Sequence, residues 1–298
     1  MKLLQNKYFY LNFLEQGSIQ VFPFETNVQR RNDHNYCEGL KESEKTGKNY
    51  QGIKGATLLS RLKFYSVPNS IQIDLMHTIG LGVIKELFSY WFDAKLGPYT
   101  LRHSYDKIEK RYLKIRPPGY LQTASRSITE FSIWKAKEFI NFIMFYSLPV
   151  FHNLMPTEHF EHLTKLVVAL EILLAKEIQR DQLPIADELL REFVKDASSL
   201  YSPTIMKSGM HELVHLVDCT KEIGPLVFFS AFPFEELNRK FLKFIKGRDL
   251  MGEEFFKIFV VIQELILYVN NHKFNNVYLK DYILNNTEIK TSNRKKKW

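Results

Sequence analysis

A mainly α-helical fold is predicted for this 298-residue chain by three observations. Long stretches carry apolar residues at the i, i+3, i+4, i+7 spacing of a helix face. Segments that alternate with the period of a strand are few and short. The hydrophobic content of 45% is enough for a sizeable core in a chain of this length, so a disordered chain is excluded.

Taken in order, residues 1–24 alternate aromatic and polar positions (Tyr8, Tyr10, Phe13; then Ile19, Val21, Phe24). That predicts a hairpin turning at Gln16-Gly17-Ser18. The polar run from Thr26 to Lys48 predicts a solvated helix around HNYCEGLKESEK, and Gly52 and Gly55 mark a loop. Ser70 to Asp74 alternates and predicts a short strand. Leu75, Ile79, Val83, Leu87, Phe88 and Trp91 then follow helical spacing, with Asp74 placed to cap that helix. Residues 93–130 are poorly periodic, and Pro117-Pro118-Gly119 breaks them. A helix from TEFSIWKAKEF is expected to stop at Pro149. EHFEHLTKLVVALEILLAKEI and LPIADELLREFVKDASSLY read as amphipathic helices, the second with Pro184 in its first turn. A helix carrying His211 and His215 ends near Gly224-Pro225. A strand-like run at 226–229, a basic helix LNRKFLKFIKGRDL and a long apolar helix FFKIFVVIQELILYVNNH complete the pattern. The expected organisation is an N-terminal segment at 1–50, a helical domain at 51–272 and a polar basic tail at 273–298.

Lysine and arginine number 41 against 33 acids, a formal net charge of +8, which is compatible with nucleic-acid binding. Two cysteines, Cys37 and Cys219, provide neither a disulfide framework nor a CxxC pair, and point to a reducing setting. No apolar run is long enough to span a bilayer, so no membrane partner is expected. Asn6, Lys7, Asn12 and Glu15 interrupt the N-terminal apolar residues, which argues against a secretory signal. The expected location is nuclear or cytoplasmic. Arg294 to Lys297 read either as a nuclear-localisation patch or as a solvated tail.

Several residues have the types and spacing of a functional site. His211 and His215, four apart on a helix, place two imidazoles on one face, the spacing that offers two ligands to one metal. Asp74 and His77 form a second short pair. Two such pairs from distant parts of a chain are the ordinary construction of a tetrahedral zinc site. The alternative for each pair is structural: a core or surface histidine, and a capping aspartate. Glu235 follows a run of phenylalanines and reads either as a ligand of a catalytic divalent cation or as a first-turn acid of the next helix. Arg239, Lys240, Lys243 and Lys246 form a basic helix face that meets phosphates or solvent. His152, His159 and His162 lack a partner motif and read as structural.

Six phrases occur in a fixed order: GIKGATLL at 52–59, IDLMHTIGLGVIKELFSYW at 73–91, IRPPGYL at 115–121, SRSITEFSIWKAKEF at 125–139, FYSLPVF at 145–151 and MHELVHLVDCTKEIGPLVFFSAFPFEELN at 210–238. Together they resemble the transposase domain of CACTA (En/Spm-like) DNA transposons and of host proteins derived from it, over about residues 28–250. The resemblance implies an RNase H-like DDE recombinase with a large helical insertion. In that family three acids hold two divalent ions, Mg or Mn, for phosphodiester chemistry. Glu235, with Phe234 before it and Asn238 after it, matches the last acid. Asp74 and His77 match an Asp-x-x-His, and His211 and His215 a His-x-x-x-His. By analogy with the related V(D)J recombinase, these four residues would hold a structural Zn ion clamping the insertion to the core. The family's first two catalytic aspartates lie upstream of the GIKG phrase, and no aspartate stands in that context here; Asp33 sits in RRNDHNYC instead. The resemblance therefore implies a partial DDE transposase, the C-terminal portion, without independent DNA cleavage or joining. DNA, a second copy or a related transposase chain are its expected partners. The other reading is a helical protein-interaction module whose histidines are structural only.

Overall fold

A computed structural model of the chain describes residues 14–16, 19–26, 31–93, 97–116, 126–245 and 251–271. The expectations for Tyr8, Tyr10, Phe13, Pro117-Pro118-Gly119, Lys246 and the tail at 273–298 fall outside them. The protein is mainly helical and divides into two compact units, Met1–Ser230 and Ala231–Trp298.

The first described elements pair as two strands on either side of the expected turn, of which Gly17 and Ser18 lie outside the described residues. Strand β1 (Leu14–Gln16) pairs antiparallel with β2 (Ile19–Val21), Leu14 opposite Val21 and Gln16 opposite Ile19. Helix α1 (Asp33–Thr46) starts at a capping box: Asn32 accepts from the Asn35 N–H, and the Asn35 side chain accepts from the Asn32 N–H. It stops at Gly47, whose φ of 65° suits a residue without Cβ. Helix α2 (Val67–Ser70) occupies the start of the stretch expected to be a strand. Ile71 to Asp74 continue in extended backbone, but the only sheet among the described residues is the β1–β2 hairpin. Alternation alone did not make a strand there, because no other strand among the described residues offers it a ladder of hydrogen bonds.

The central element runs without a break from Leu75. It is π-helical over Leu75–Ile84, α-helical in α3 (Lys85–Phe88) and π-helical again over Ser89–Asp93. Asp74 caps it as expected, its Oδ2 accepting from the His77 N–H at 2.8 Å. Every apolar position that predicted this helix is buried. Phe88, fully buried, touches six rings: Trp91, Phe92, Phe131, Trp134, Phe139 and Phe142. The core of the unit is built around this aromatic cluster.

Helix α4 (Tyr105–Lys114) falls in the stretch whose periodicity was too weak to predict it. It buries only Ile108 and Tyr112, one turn apart. Beyond a 3₁₀ turn at Ile128–Ile133 come α5 (Ala136–Phe145) and α6 (Ser147–Phe151). The break falls at Tyr146 and not at Pro149, which sits in the first turn of α6, where the N–H that proline lacks is not needed. Helices α7 (Thr157–Leu174) and α8 (Gln182–Leu200) are the two amphipathic helices of the sequence and pack on each other. Lys165 bridges Glu192 and Asp196 across the pair, and His162 Nε2 donates to the Phe193 carbonyl at 2.8 Å. After a 3₁₀ turn at Pro203–Ile205 come α9 (Ser208–Glu212), a 3₁₀ turn at Leu213–His215 and α10 (Leu216–Ile223). Gly224, φ 93°, ends α10 where glycine and proline predicted a stop. The strand expected at 226–229 is a 3₁₀ turn, Leu226–Phe228, set by Pro225 before it.

The second unit contains α11 (Phe232–Phe244) and α12 (Met251–Asn271), joined by Phe241 against Phe255 and Phe259. Helix α11 begins within the phenylalanine run, with Pro233 in its first turn. No described helix is long and apolar enough to cross a membrane.

Candidate functional site

The two short pairs lie on elements that touch. The π-helical turn at Leu75–Ile84 packs against α9, and Gly209 sits where an added Cβ would lie 3.5 Å from the Thr78 carbonyl oxygen. Beside that approach Thr78 Oγ1 donates to Glu212 Oε2 at 2.7 Å. Thr78 is the neighbour of His77, and Glu212 the neighbour of His211.

Within α9 and the turn after it, His211 and His215 are both buried, and their Nε2 atoms stand 3.3 Å apart. The ring centroids are 5.2 Å apart at 62°. Two nitrogens each about 2.0–2.1 Å from one zinc at a tetrahedral angle are separated by roughly 3.3 Å, so this pair fits two positions of such a site. Burial lowers the His211 pKa to about 4, opposed by the nearby Glu25 carboxylate, and a neutral ring is the form that ligates. The residue after β2 packs near this ring: the Phe22 N–H donates to the Met206 carbonyl at 2.6 Å, and the Phe22 ring lies 6.1 Å from that of His211.

Asp74 and His77 also meet, Asp74 Oδ2 against both the N–H and the Nδ1 of His77. Asp74 therefore caps a helix and orients an imidazole at once, as carboxylates beside metal-binding histidines do. No group of three or more His, Cys, Asp or Glu side chains placed to hold a metal occurs among the described residues. The structure thus forms each pair and brings their elements into contact, without gathering all four side chains at one point.

A cavity of about 300 Å³ opens between these elements, lined by His77, Thr78, Glu86, Lys207, Ser208 and Glu212 among others. Glu86 binds Lys207 Nζ with both carboxylate oxygens at 2.7 Å. Glu212 is 8% exposed, and burial pushes its pKa up to about 7, with the Thr78 hydroxyl pulling the other way. Sequence reasoning passed over Glu212. Its one signal was an acid inside MHELVHLV, where every other position of the turn is apolar or histidine.

Glu235 belongs to the second unit. It lies exposed in the first turn of α11, after Phe234, which is 66% exposed; the carboxylate that follows the phenylalanines faces solvent. Arg239 makes a two-point contact with Glu236 at 2.8 and 2.7 Å, and Lys240 reaches the same carboxylate at 4.0 Å. These two cations of the basic face are thus drawn toward an acid on their own helix. The side chain of Lys243, like Lys246, lies outside the described residues. His159 and His162 donate Nε2 to the carbonyls of Leu200 and Phe193. Comparison with protein-family models, with curated proteins and with solved structures finds no match.

Proposed function

We propose that this chain is a transposon-derived protein of the CACTA (En/Spm-like) kind, a partial DDE transposase that does not cut or join DNA by itself. In this reading Asp74, His77, His211 and His215 hold one structural zinc ion, and Glu235 is the last acid of an RNase H-like core. The observation that carries it is the 3.3 Å separation of His211 Nε2 and His215 Nε2 in a buried setting. The packing of the Asp74–His77 element on α9 supports it further. Zinc supplies no reaction chemistry here; it would tie two segments far apart in the chain. His211 and His215 would present Nε2, His77 the ring nitrogen that does not face Asp74, and Asp74 its second carboxylate oxygen. One carboxylate cannot hold two Mg or Mn ions, so cleavage would require acids from outside this stretch. DNA or a related transposase chain would be the partner, in the nucleus or the cytoplasm.

The test is metal content of the purified chain. One zinc per chain, lost in both His211→Ala and Asp74→Ala, is the expected result. A wild-type chain that binds no zinc, or an Asp74→Ala variant that keeps it, overturns the four-ligand site. Nicking of DNA with transposon ends in Mg²⁺ or Mn²⁺, abolished by Glu235→Gln, would overturn the absence of independent cleavage.

The second reading, a helical interaction module, is favoured by the exposed apolar side chains of α12, including Phe256 and Val261. DNA binding that falls steeply with salt separates the two, since only the first expects it.

A further inference from the structure

The cavity of about 300 Å³ beside α9 is walled by two side chains that can carry positive charge, His77 and Lys207, and by two acids, Glu86 and Glu212. Lys207 is already held, since both oxygens of Glu86 lie 2.7 Å from its Nζ. His77 turns its Nδ1 to Asp74 Oδ2. Glu212 is the acid that remains. It forms no ion pair among the described residues, and its carboxyl group accepts one hydrogen bond there, from the Thr78 hydroxyl to Oε2.

The other oxygen of that group faces the cavity. Glu212 is 8% exposed, and it is one of the residues that line the hollow. Its Oε1 accepts no hydrogen bond, yet it is not sealed from solvent. The oxygen without a partner is therefore the one with open surface. Water can fill the missing hydrogen bond but cannot supply the missing charge, and a carboxylate this deeply buried calls for a cation close by. Around it the wall turns apolar, with Leu81, Val83, Ile205 and Met210. The last three are each no more than 2% exposed, so this part of the wall belongs to the packed core.

We propose that this cavity binds a primary ammonium group carried on a short hydrocarbon stem, with Glu212 Oε1 as its acceptor. A free alkylamine and a lysine side chain share that chemistry. The ammonium brings a full charge and three donors to an oxygen that has neither cation nor donor, and the apolar wall takes the stem. A volume of about 300 Å³ is at the small end for ligand sites, which suits a ligand of this size. A divalent ion would need several oxygens at once, and the second acid of the wall is already on Lys207. An anion would meet Glu212 as a like charge. The proposal does not rest on the zinc reading, in which Glu212 has no part.

Saturation-transfer NMR titration of the full chain with n-butylammonium, Nα-acetyl-lysine methylamide and n-butanol tests it. At least one of the two amines should bind, and the tighter of them identifies the source of the ammonium. The alcohol should bind about tenfold more weakly than that amine, the difference between a charge-assisted and a neutral hydrogen bond. Glu212→Gln, which keeps an acceptor for Thr78, should weaken amine binding about tenfold as well. An amine held by a zinc ion instead would be untouched by that substitution. Glu86→Gln leaves the Lys207 ammonium uncompensated beside the site and should weaken amine binding about threefold. No saturable binding of either amine overturns the proposal. So does equal binding of the alcohol, or unchanged affinity in Glu212→Gln. Should that variant not fold, unchanged affinity in Glu86→Gln overturns it in the same way.

Discussion

Thr78 Oγ1 and Glu212 Oε2, 134 positions apart in the chain, meet at 2.7 Å and join the two elements that carry the histidine pairs. The hydroxyl is the one hydrogen-bond donor to this buried carboxyl group described above. Thr78→Val is therefore expected to destabilise the protein by about 1–3 kcal/mol, the cost of leaving a buried polar group unsatisfied. Glu212→Gln keeps an acceptor for Thr78 and should cost less. Urea unfolding midpoints of the two variants check the order.

Gly80 packs against the start of α5. An added Cβ would lie 3.0 Å from both the Cβ and the carbonyl oxygen of Ala136, and 3.2 Å from its Cα. Backbone cannot swing aside as a side-chain tip can, so Gly80→Ala should cost about 1–3 kcal/mol despite the higher helix propensity of alanine. Thermal unfolding of that variant beside Gly82→Ala, whose nearest contact is the His77 carbonyl at 3.0 Å, shows whether both approaches are equally rigid.

Truncating Phe88 removes the ring at the middle of six aromatic contacts. Phe88→Ala is expected to cost about 3–5 kcal/mol, with Phe88→Leu much milder because it keeps most of the volume. Loss of near-ultraviolet circular dichroism at lower denaturant in the first variant only is the readout.

His162 gives the fold an acid limit. Burial lowers its pKa from 6.5 to about 4. Its folded-state pKa lies below the unfolded value, so the neutral ring is favoured by folding. The stability tied to it is complete above pH 6.5 and is lost as pH falls toward 4. The difference corresponds to roughly 3 kcal/mol at most. His162→Met should flatten unfolding midpoints between those pH values, at a small cost at neutral pH from the lost bond to the Phe193 carbonyl.

Residue patterns revealed the helices with strong periodicity and missed what depends on neighbours. The apolar positions from Leu75 to Trp91 announced a buried helix, yet nothing in them announced its π-helical form. Alternation at Ile71 to Asp74 suggested a strand, but the one sheet among the described residues is the β1–β2 hairpin. Helix α4 escaped notice because it is short and mostly charged, with only Ile108 and Tyr112 buried. The histidine pairs were visible as spacings, but the bond between Thr78 and Glu212 was not, since burial of a glutamate is set by the surface packed on it.

The π-helical stretch at Leu75–Ile84 has a consequence for how the chain tolerates change. A π turn holds one more residue than an α turn, so this segment can shorten by one residue and relax to ordinary winding. Shortening and relaxing together leave the cap and imidazole at its beginning in roughly their present facing relative to the aromatic cluster at its end, whereas relaxing at full length would turn them by about 100° for each extra residue. The segment is thus a phase setter: its winding fixes how Asp74 and His77 at one end stand relative to the aromatic cluster at the other.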